Sequence, residues 1–212
     1  DNKYANYKIK CLDPNLLIDA ILPPDNIVGS VVYPACEIVK PGTIRHIAGN
    51  RFSLGEPEGS ESDRLKFISD ILKKAGFRAP IQKNIRDEIW LKLIGNLSFN
   101  PISALTGATL EQICDDQGTE AIVRAMMTEA KIIAEELGAK INMSIEKRID
   151  GARKVGAHKT SMLQDIEAGK PIEIDSIIIA VKELGELTCS PTPYIDTILN
   201  LTLQKAKLIG CL

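Results

Sequence analysis

Histidine and paired cysteine, from which proteins build most zinc sites, are scarce in this sequence. Only His46 and His158 are present, and no two of the five cysteines form a Cys-x-x-Cys pair. A structural zinc site needs four such ligands, usually in short clusters. We therefore expect neither a metal site nor a disulfide framework. Scattered cysteines are typical of proteins from a reducing compartment, so the composition predicts a cytoplasmic location.

The sequence also lacks an excess of charge and a long apolar run. Its 26 basic side chains nearly balance 28 acidic ones, which leaves a formal net charge of −2. Proteins that bind nucleic acids carry a basic patch, and a membrane-spanning helix needs about 20 consecutive apolar residues. Neither pattern occurs, so we expect no nucleic-acid partner and no membrane partner. Apolar residues still make up 44% of the 212 residues, which is enough for a substantial core.

Two stretches of different character follow one another along the chain. Residues 1–83 contain short β-branched runs, and the pair Pro41-Gly42 between two of them predicts a hairpin with a type II turn. From residue 84 to residue 212 nearly every segment has helical periodicity, and a capping pattern begins at Ser161. The sequence thus predicts an α+β, mostly α protein in which the strands come first.

One helix is expected within the strand-rich stretch. Residues 60–74 have apolar side chains at helical spacing, and Gly76 is a typical helix-terminating residue just beyond them. The helix should therefore bury one face. The apolar side chains predicted to form that face are Leu65, Phe67, Ile68, Ile71 and Leu72.

The most informative segment is 90–106, an apolar helix with polar side chains at a spacing of four. Lys92, Asn96 and Asn100 occupy positions i, i+4 and i+8. Each step of four advances about 40° around a helix axis, so the three side chains form one narrow stripe. A cation and two amides among apolar side chains are costly to bury unless they contact something polar. The stripe therefore predicts a site for a small anionic molecule with a carbonyl group.

Two further residues could complete such a site, and each has an ordinary structural alternative. Ser161, at a predicted helix start, could bind a carboxylate beside free backbone N–H groups, or it could only cap the helix. Glu173 could accept a hydrogen bond from a substrate hydroxyl or pair with Lys92, or it could simply favour a helix N-terminus. Reduction of a ketone places negative charge on the carbonyl oxygen, which a lysine ammonium can stabilise and protonate. The residues alone leave a catalytic site and a structural role both open.

Short motifs are distributed in order along most of the chain. They are 29–34 (GSVVYP), 41–46 (PGTIRH), 49–57 (GNRFSLGEP), 90–101 (WLKLIGNLSFNP), 161–165 (SMLQD), 173–175 (EID) and 192–193 (TP). In this order they resemble the ketopantoate reductase (2-dehydropantoate 2-reductase) family, from about residue 26 to the C-terminus. Several motifs in one order are more specific than any one of them.

The resemblance implies an NADP-dependent oxidoreductase of pantothenate and coenzyme A synthesis. Such an enzyme moves a hydride from NADPH to the C2 ketone of a small 2-oxo acid, 2-dehydropantoate, and gives pantoate. Residue by residue, the resemblance implies that Lys92 is the general acid and that Asn96 and Asn100 bind the substrate. It also implies that Ser161 binds the substrate carboxylate and Glu173 the hydroxyl. Glu173 could in addition contact the cofactor, and the family makes a homodimer plausible.

The family's fold is a Rossmann domain followed by an all-helical domain like that of 6-phosphogluconate dehydrogenase, with the active site in the cleft between them. The resemblance therefore implies that residues 1–83 are the C-terminal portion of a dinucleotide-binding domain and that 84–212 are the helical substrate domain. The chain departs from the family in one major respect. No Gly-x-Gly-x-x-Gly follows a strand, so the family's pyrophosphate-binding turn is absent from this sequence. Ser176 and the isoleucines after it also stand where the family often has glycine.

Two kinds of function remain possible from the sequence. The first is an enzyme, either a ketopantoate reductase or a related reductase of another 2-oxo acid, and the joint presence of Lys92, Asn96, Ser161 and Glu173 favours it. The second is a non-catalytic helical module for dimerisation or regulation, which the absent cofactor motif favours. Substitution of Lys92 by alanine distinguishes them, because it should abolish turnover in an enzyme and leave association by a module unchanged.

Overall fold

The computed structural model describes residues 3, 4 and 7–212, without the side chain of Asp19. The few remaining residues belong to the predicted region 1–83 and lie outside the described residues. The α-helices are α1 (Leu17–Ile21), α2 (Asp63–Lys74), α3 (Ile85–Thr106), α4 (Leu110–Asp115), α5 (Gln117–Glu136), α6 (Ile145–Val155), α7 (Ser161–Glu167), α8 (Ala180–Thr188) and α9 (Pro193–Ile209). The strands are β1 (Gly29–Val32), β2 (Ala35–Lys40), β3 (Thr43–Ala48) and β4 (Phe52–Gly55). A 3-10 turn (Pro24–Asn26) precedes β1, and a π-helical turn (Asp175–Ile179) precedes α8.

The chain divides into two compact units. The strand-containing unit is Ile18–Ile89, and the helical unit combines the described part of Asp1–Leu17 with Trp90–Leu212. The architecture is thus mostly helical with two small sheets, as the sequence predicts. The further identification of 1–83 and 84–212 as parts of a dinucleotide-binding domain and a substrate domain stays a prediction.

Two separate antiparallel strand pairs form the sheets of the strand-containing unit. β1 pairs with β4, with Gly29 opposite Gly55, and β2 pairs with β3. The turn between β2 and β3 contains Pro41 and Gly42, and Gly42 has φ +77°, which a type II turn requires at its third position. The predicted hairpin is confirmed.

The helix of this unit, α2, buries a narrower face than its sequence predicts. Its N-cap is Ser62, whose hydroxyl accepts a hydrogen bond from the Leu65 backbone N–H, and Leu65 is fully buried. Phe67 is 67% exposed and Ile71 is 49% exposed, so their predicted burial is wrong. The reason is that within this unit α2 packs against a small two-stranded sheet, which covers only part of its apolar side.

An ion pair with a buried carboxylate joins α2 to the residue after β4, and its arginine also contacts the segment before β1. Glu56 is 1% exposed and forms an ion pair with Arg64 at 2.6 Å. The Arg64 guanidinium and the Ser62 hydroxyl both donate to this carboxylate and hold the pKa of Glu56 at about 2. Arg64 also donates to the backbone carbonyls of Asp25 and Ile27, so one side chain joins three segments.

The core of the helical unit surrounds α3 and α5. Buried side chains of α3, among them Leu97 and Ile102, belong to one continuous cluster with Met126 and Met127 of α5. Helix α5 packs against α4, α6, α8 and α9. No helix within the described residues is long and apolar enough to cross a membrane.

A buried glutamate of α5 supports the start of α9. The Glu129 carboxylate accepts hydrogen bonds from the backbone N–H groups of Tyr194 and Ile195, both at 2.9 Å. These amides belong to the first turn of α9, where backbone donors have no partner within the helix. Because the Thr192 side chain makes no capping hydrogen bond, Glu129 performs that function from a neighbouring helix.

Replacement of Glu129 by alanine should lower the free energy of unfolding of this chain by about 2 kcal/mol, because two backbone amides at the start of α9 lose a charged acceptor. Glu129→Gln keeps an acceptor oxygen and should cost clearly less. Urea denaturation of the three proteins measures both differences. Equal stability of the wild type and Glu129→Ala would show that these hydrogen bonds contribute nothing.

Candidate active site

Helix α3 presents the predicted polar stripe without interruption. The helix runs from Ile85 to Thr106, so Lys92, Asn96 and Asn100 retain their spacing of four on one face. Lys92 and Asn96 are half-buried, and Asn100 is only 5% exposed. Depth therefore increases along the stripe, from a partly exposed cation to a buried amide.

Two basic side chains from other helices hold α3 in place. The Lys205 ammonium of α9 donates hydrogen bonds to the backbone carbonyls of Ala104 and Leu105, at 2.5 and 3.1 Å. Two carbonyl groups in the last turn of α3 thus have a cationic partner. The Arg148 guanidinium of α6 lies directly over Gly95, where an added Cβ would come within 2.0 Å of Nη2. Glycine at position 95 thus allows close approach of α6 beside Asn96.

The amide of Asn100 has an unsatisfied donor. Its Nδ2 atom is buried and has no hydrogen-bond partner among the residues that the structure describes. Most buried polar side-chain atoms have a partner, and an unsatisfied one costs about 1–3 kcal/mol. A donor left unpaired on this stripe is suited to an oxygen atom of a bound molecule.

Lys92 and Glu173 interact electrostatically. Burial lowers the pKa of the Lys92 ammonium below the ordinary lysine value, and the negative charge of Glu173 partly opposes that shift. Glu173 is exposed and comes two residues before the π-helical turn. Because burial outweighs the attraction of Glu173, Lys92 releases its proton more readily than a lysine in water.

Ser161 is not the helix cap that its sequence pattern predicts. Thr160 is the N-cap of α7, with φ −65° and ψ 159°, and its hydroxyl accepts from the Leu163 backbone N–H. Gln164 donates from its side chain to the Lys159 carbonyl, so the predicted capping box is wrong. Ser161 is the exposed first residue of α7, and its hydroxyl is therefore not required as a cap.

The structure brings together only part of the predicted site. Lys92, Asn96 and Asn100 share one face of α3, and Glu173 acts on Lys92 through its charge. Ser161 lies on a separate helix, and its role beside Lys92 stays a prediction. Among the residues that the structure describes, no group of His, Cys, Asp and Glu side chains is arranged to hold a metal ion.

Sequence reasoning missed the π-helical turn that begins two residues after Glu173. Residues 173–187 have the periodicity of one continuous helix, but Asp175–Ile179 form i→i+5 hydrogen bonds before α8 begins at Ala180. Turns of this kind are rare and are frequently found at functional sites. The isoleucine-rich sequence here contains no local signal for one.

This chain is similar in sequence and in fold to known proteins of one family. Residues 84–206 match the family model described as "Ketopantoate reductase PanE/ApbA C terminal". A 2-dehydropantoate 2-reductase of Mesorhizobium japonicum is 52% identical over 204 residues, which are 96% of this chain and 63% of that protein. A structure described as a ketopantoate reductase of Ralstonia solanacearum superposes with a TM-score of 0.95 at 40% identity, over all of this chain and 64% of that one. The 2-dehydropantoate 2-reductase of Methylococcus capsulatus superposes with a TM-score of 0.81 at 30% identity, over 86% of this chain and 64% of that one.

The chain spans less than two thirds of the length of these relatives. The family match nevertheless includes the whole polar stripe of α3, together with Ser161 and Glu173. On the matched residues and the shared fold, the chain belongs to the ketopantoate reductase family.

Proposed function

We propose that the complete protein containing this chain reduces 2-dehydropantoate to pantoate with NADPH. The observation that carries this proposal is the half-buried Lys92, which lies on one helix face with the unsatisfied Asn100 amide and within the electrostatic influence of Glu173. A cation and an amide donor can donate hydrogen bonds to the ketone oxygen of this substrate, and a carboxylate can accept one from its hydroxyl. The 52% identity to a curated 2-dehydropantoate 2-reductase supports the same substrate.

Each side chain has a distinct role in the proposed reaction. Lys92 donates a hydrogen bond to the C2 carbonyl oxygen, and its proton passes to that oxygen as C2 is reduced. Asn96 and Asn100 orient the substrate through neutral amide groups. Ser161 and the backbone N–H groups at the start of α7 bind the carboxylate, and Glu173 accepts a hydrogen bond from the C4 hydroxyl.

The residues of this chain do not form a complete dinucleotide site. When bound, NADPH supplies the hydride, but no glycine-rich turn of the Gly-x-Gly-x-x-Gly type occurs among the 212 residues. We propose that residues 1–83 are the C-terminal portion of a Rossmann domain and that 84–212 form the substrate domain. The pyrophosphate-binding turn would then lie in the third of the relatives' length that this chain does not span. We also propose that the complete protein forms a homodimer.

The acid role of Lys92 predicts a particular pH dependence for kcat/KM. Lys92 must be protonated, so kcat/KM should fall as pH rises through its pKa, which burial places below the ordinary lysine value. Glu173 raises this pKa, so Glu173→Gln should move the basic limb of the profile to lower pH. Glu173→Asp retains the charge and serves as the control. A basic limb at the same pH in wild type and Glu173→Gln would contradict the predicted coupling.

Measurement of NADPH oxidation by the complete protein with 2-dehydropantoate tests the function itself. We expect turnover with the complete protein, together with no turnover and much weaker NADPH binding by the 212-residue chain alone. NADH in the same assay tests the cofactor preference. If the complete protein binds NADPH but turns over no 2-oxo acid, the non-catalytic module becomes the better explanation.

A further inference from the structure

A carboxylate of α8 binds a segment from the beginning of the chain. Glu183 Oε1 accepts hydrogen bonds from the Tyr7 hydroxyl at 2.8 Å and the Lys10 backbone N–H at 2.6 Å. Glu183 Oε2 accepts from the Cys11 backbone N–H at 3.0 Å. We refer to residues 7–11 as the strap. Within the helical unit, one carboxylate thus ties the strap to α8 through three donors more than 170 residues away in sequence.

The strap also contacts the π-helical turn that leads into α8. The Cys11 thiol lies 3.9 Å from the backbone carbonyl of Asp175, the first residue of that turn. The same carbonyl accepts the Ala180 N–H in the i→i+5 bond at the end of the turn. Glu183 lies in the first turn of α8, so the strap contacts the chain both at the start of the π-helical turn and beyond its end.

Glu183 remains ionised in this arrangement. Burial alone would raise its pKa, but the donors from Lys10, Cys11 and Tyr7 outweigh burial and lower the pKa overall. Hydrogen bonds to a charged acceptor are about twice as strong as neutral ones. The carboxylate therefore binds the strap firmly at neutral pH.

Glu173 lies in the chain just before the π-helical turn that the strap contacts. Its side chain is exposed, so packing does not fix its direction, and its backbone is only two residues from the π-helical turn. A π-helical turn is an uncommon conformation that persists where surrounding structure supports it. In this protein that support includes the strap at Asp175 and Glu183.

We infer that Glu183 is a positioning residue for Glu173, because it ties the strap to the π-helical turn that directly follows the substrate-binding carboxylate. This inference rests on the proposed function, in which Glu173 accepts the substrate hydroxyl. Loss of Glu183 should release the strap and allow the π-helical turn to relax. The hydrogen bond between Glu173 and the substrate hydroxyl would then be weaker, both in the bound substrate and in the transition state.

The first measurement is a comparison of kcat and KM for 2-dehydropantoate in the complete enzyme. Glu183→Ala should raise KM by about 10-fold or more with little change in kcat. This pattern is expected when the lost interaction is present both in the bound ground state and in the transition state. Glu183→Gln keeps one strong acceptor and should partly restore KM. The matched control is Glu186→Ala, which removes an exposed glutamate from the same helix that forms a surface ion pair with Lys182 at 3.5 Å.

The second measurement follows the strap itself and needs no substrate. The alkylation rate constant of the Cys11 thiolate, taken from the pH dependence of its reaction with iodoacetamide and from peptide mass mapping, should rise about 10-fold or more in Glu183→Ala, because opening of a local segment exposes the half-buried thiol. Comparison of thiolate rate constants is needed because burial and Glu183 itself both raise the pKa of Cys11. Glu186→Ala should react like the wild type. The exposed thiols of Cys36 and Cys189 provide internal references.

The two measurements together decide the inference. A raised KM with faster alkylation of Cys11 supports it. Faster alkylation with an unchanged KM would show that the strap is only structural, and a raised KM with unchanged alkylation would show that Glu183 does not act through the strap. Wild-type enzyme that fails to reduce 2-dehydropantoate would refute the proposed function, whereas wild-type turnover with an unchanged Glu183→Ala KM refutes this inference alone.

Discussion

Lys92→Ala should lower kcat for 2-dehydropantoate reduction by the complete enzyme by about 10²- to 10⁴-fold, the usual contribution of a general acid. Lys92 is half-buried on α3, and Glu173 is the charged neighbour that keeps its ammonium protonated against desolvation. Without the ammonium, nothing at that position can both stabilise and protonate the developing alkoxide. Steady-state kinetics with NADPH measures the loss.

Two variants separate the acid role from a general need for positive charge. Lys92→Arg keeps the charge but holds its proton too tightly to act as an acid, so it should bind substrate and still turn over poorly. Lys131→Ala removes a lysine of α5 that pairs with Glu135 at 3.7 Å, and it should leave kcat unchanged. If Lys92→Ala retained kcat within about threefold of the wild type, well below any general-acid effect, Lys92 would not be the acid.

Asn100→Leu should affect stability and activity in opposite directions. The Asn100 Nδ2 atom is buried with no partner in the described part of the chain, so a leucine of similar size should raise the free energy of unfolding by about 1 kcal/mol. The same change removes the proposed hydrogen bond to the substrate and should lower kcat/KM by about 10- to 100-fold. Thermal or urea denaturation and steady-state kinetics on one preparation measure both effects.

A neighbouring polar residue provides the control for Asn100. Ser98 is fully buried on the same helix, and its hydroxyl donates to the Ile94 carbonyl, so its hydrogen bond is already satisfied within α3. Ser98→Ala should therefore leave kcat/KM close to that of the wild type. A loss of stability in Asn100→Leu with unchanged kcat/KM would mean that Asn100 serves the fold and not the substrate.

Features that depend only on neighbours in sequence could be predicted from local rules. The stripe of Lys92, Asn96 and Asn100 follows from helix periodicity alone, because α3 continues through all three positions. The hairpin at Pro41-Gly42 follows from the backbone preferences of those two residues. Both features are predictable because no distant contact is needed to specify them.

Features that depend on distant contacts could not be predicted. The π-helical turn at Asp175 is in contact with the strap, whose attachment to Glu183 joins positions far apart in sequence. Thr160 and Ser161 are both good cap residues, and the backbone conformation at Thr160 decides between them. The exposure of Phe67 likewise reflects how little of α2 the small sheet covers, which sequence periodicity does not report.

Recognition of the substrate hydroxyl is the most direct test of the proposed site. The measurement is kcat/KM of the complete enzyme for 2-dehydropantoate and for 3,3-dimethyl-2-oxobutanoate, which lacks only the C4 hydroxyl, in the wild type and in Glu173→Ala. We expect the wild type to prefer 2-dehydropantoate by about 100-fold, because a site built to bind a hydroxyl rejects an analogue without one. Glu173→Ala should lose most of that preference. Equal preference in the two proteins, or no turnover of either substrate by the wild type, would contradict the assignment of these residues to ketopantoate reduction.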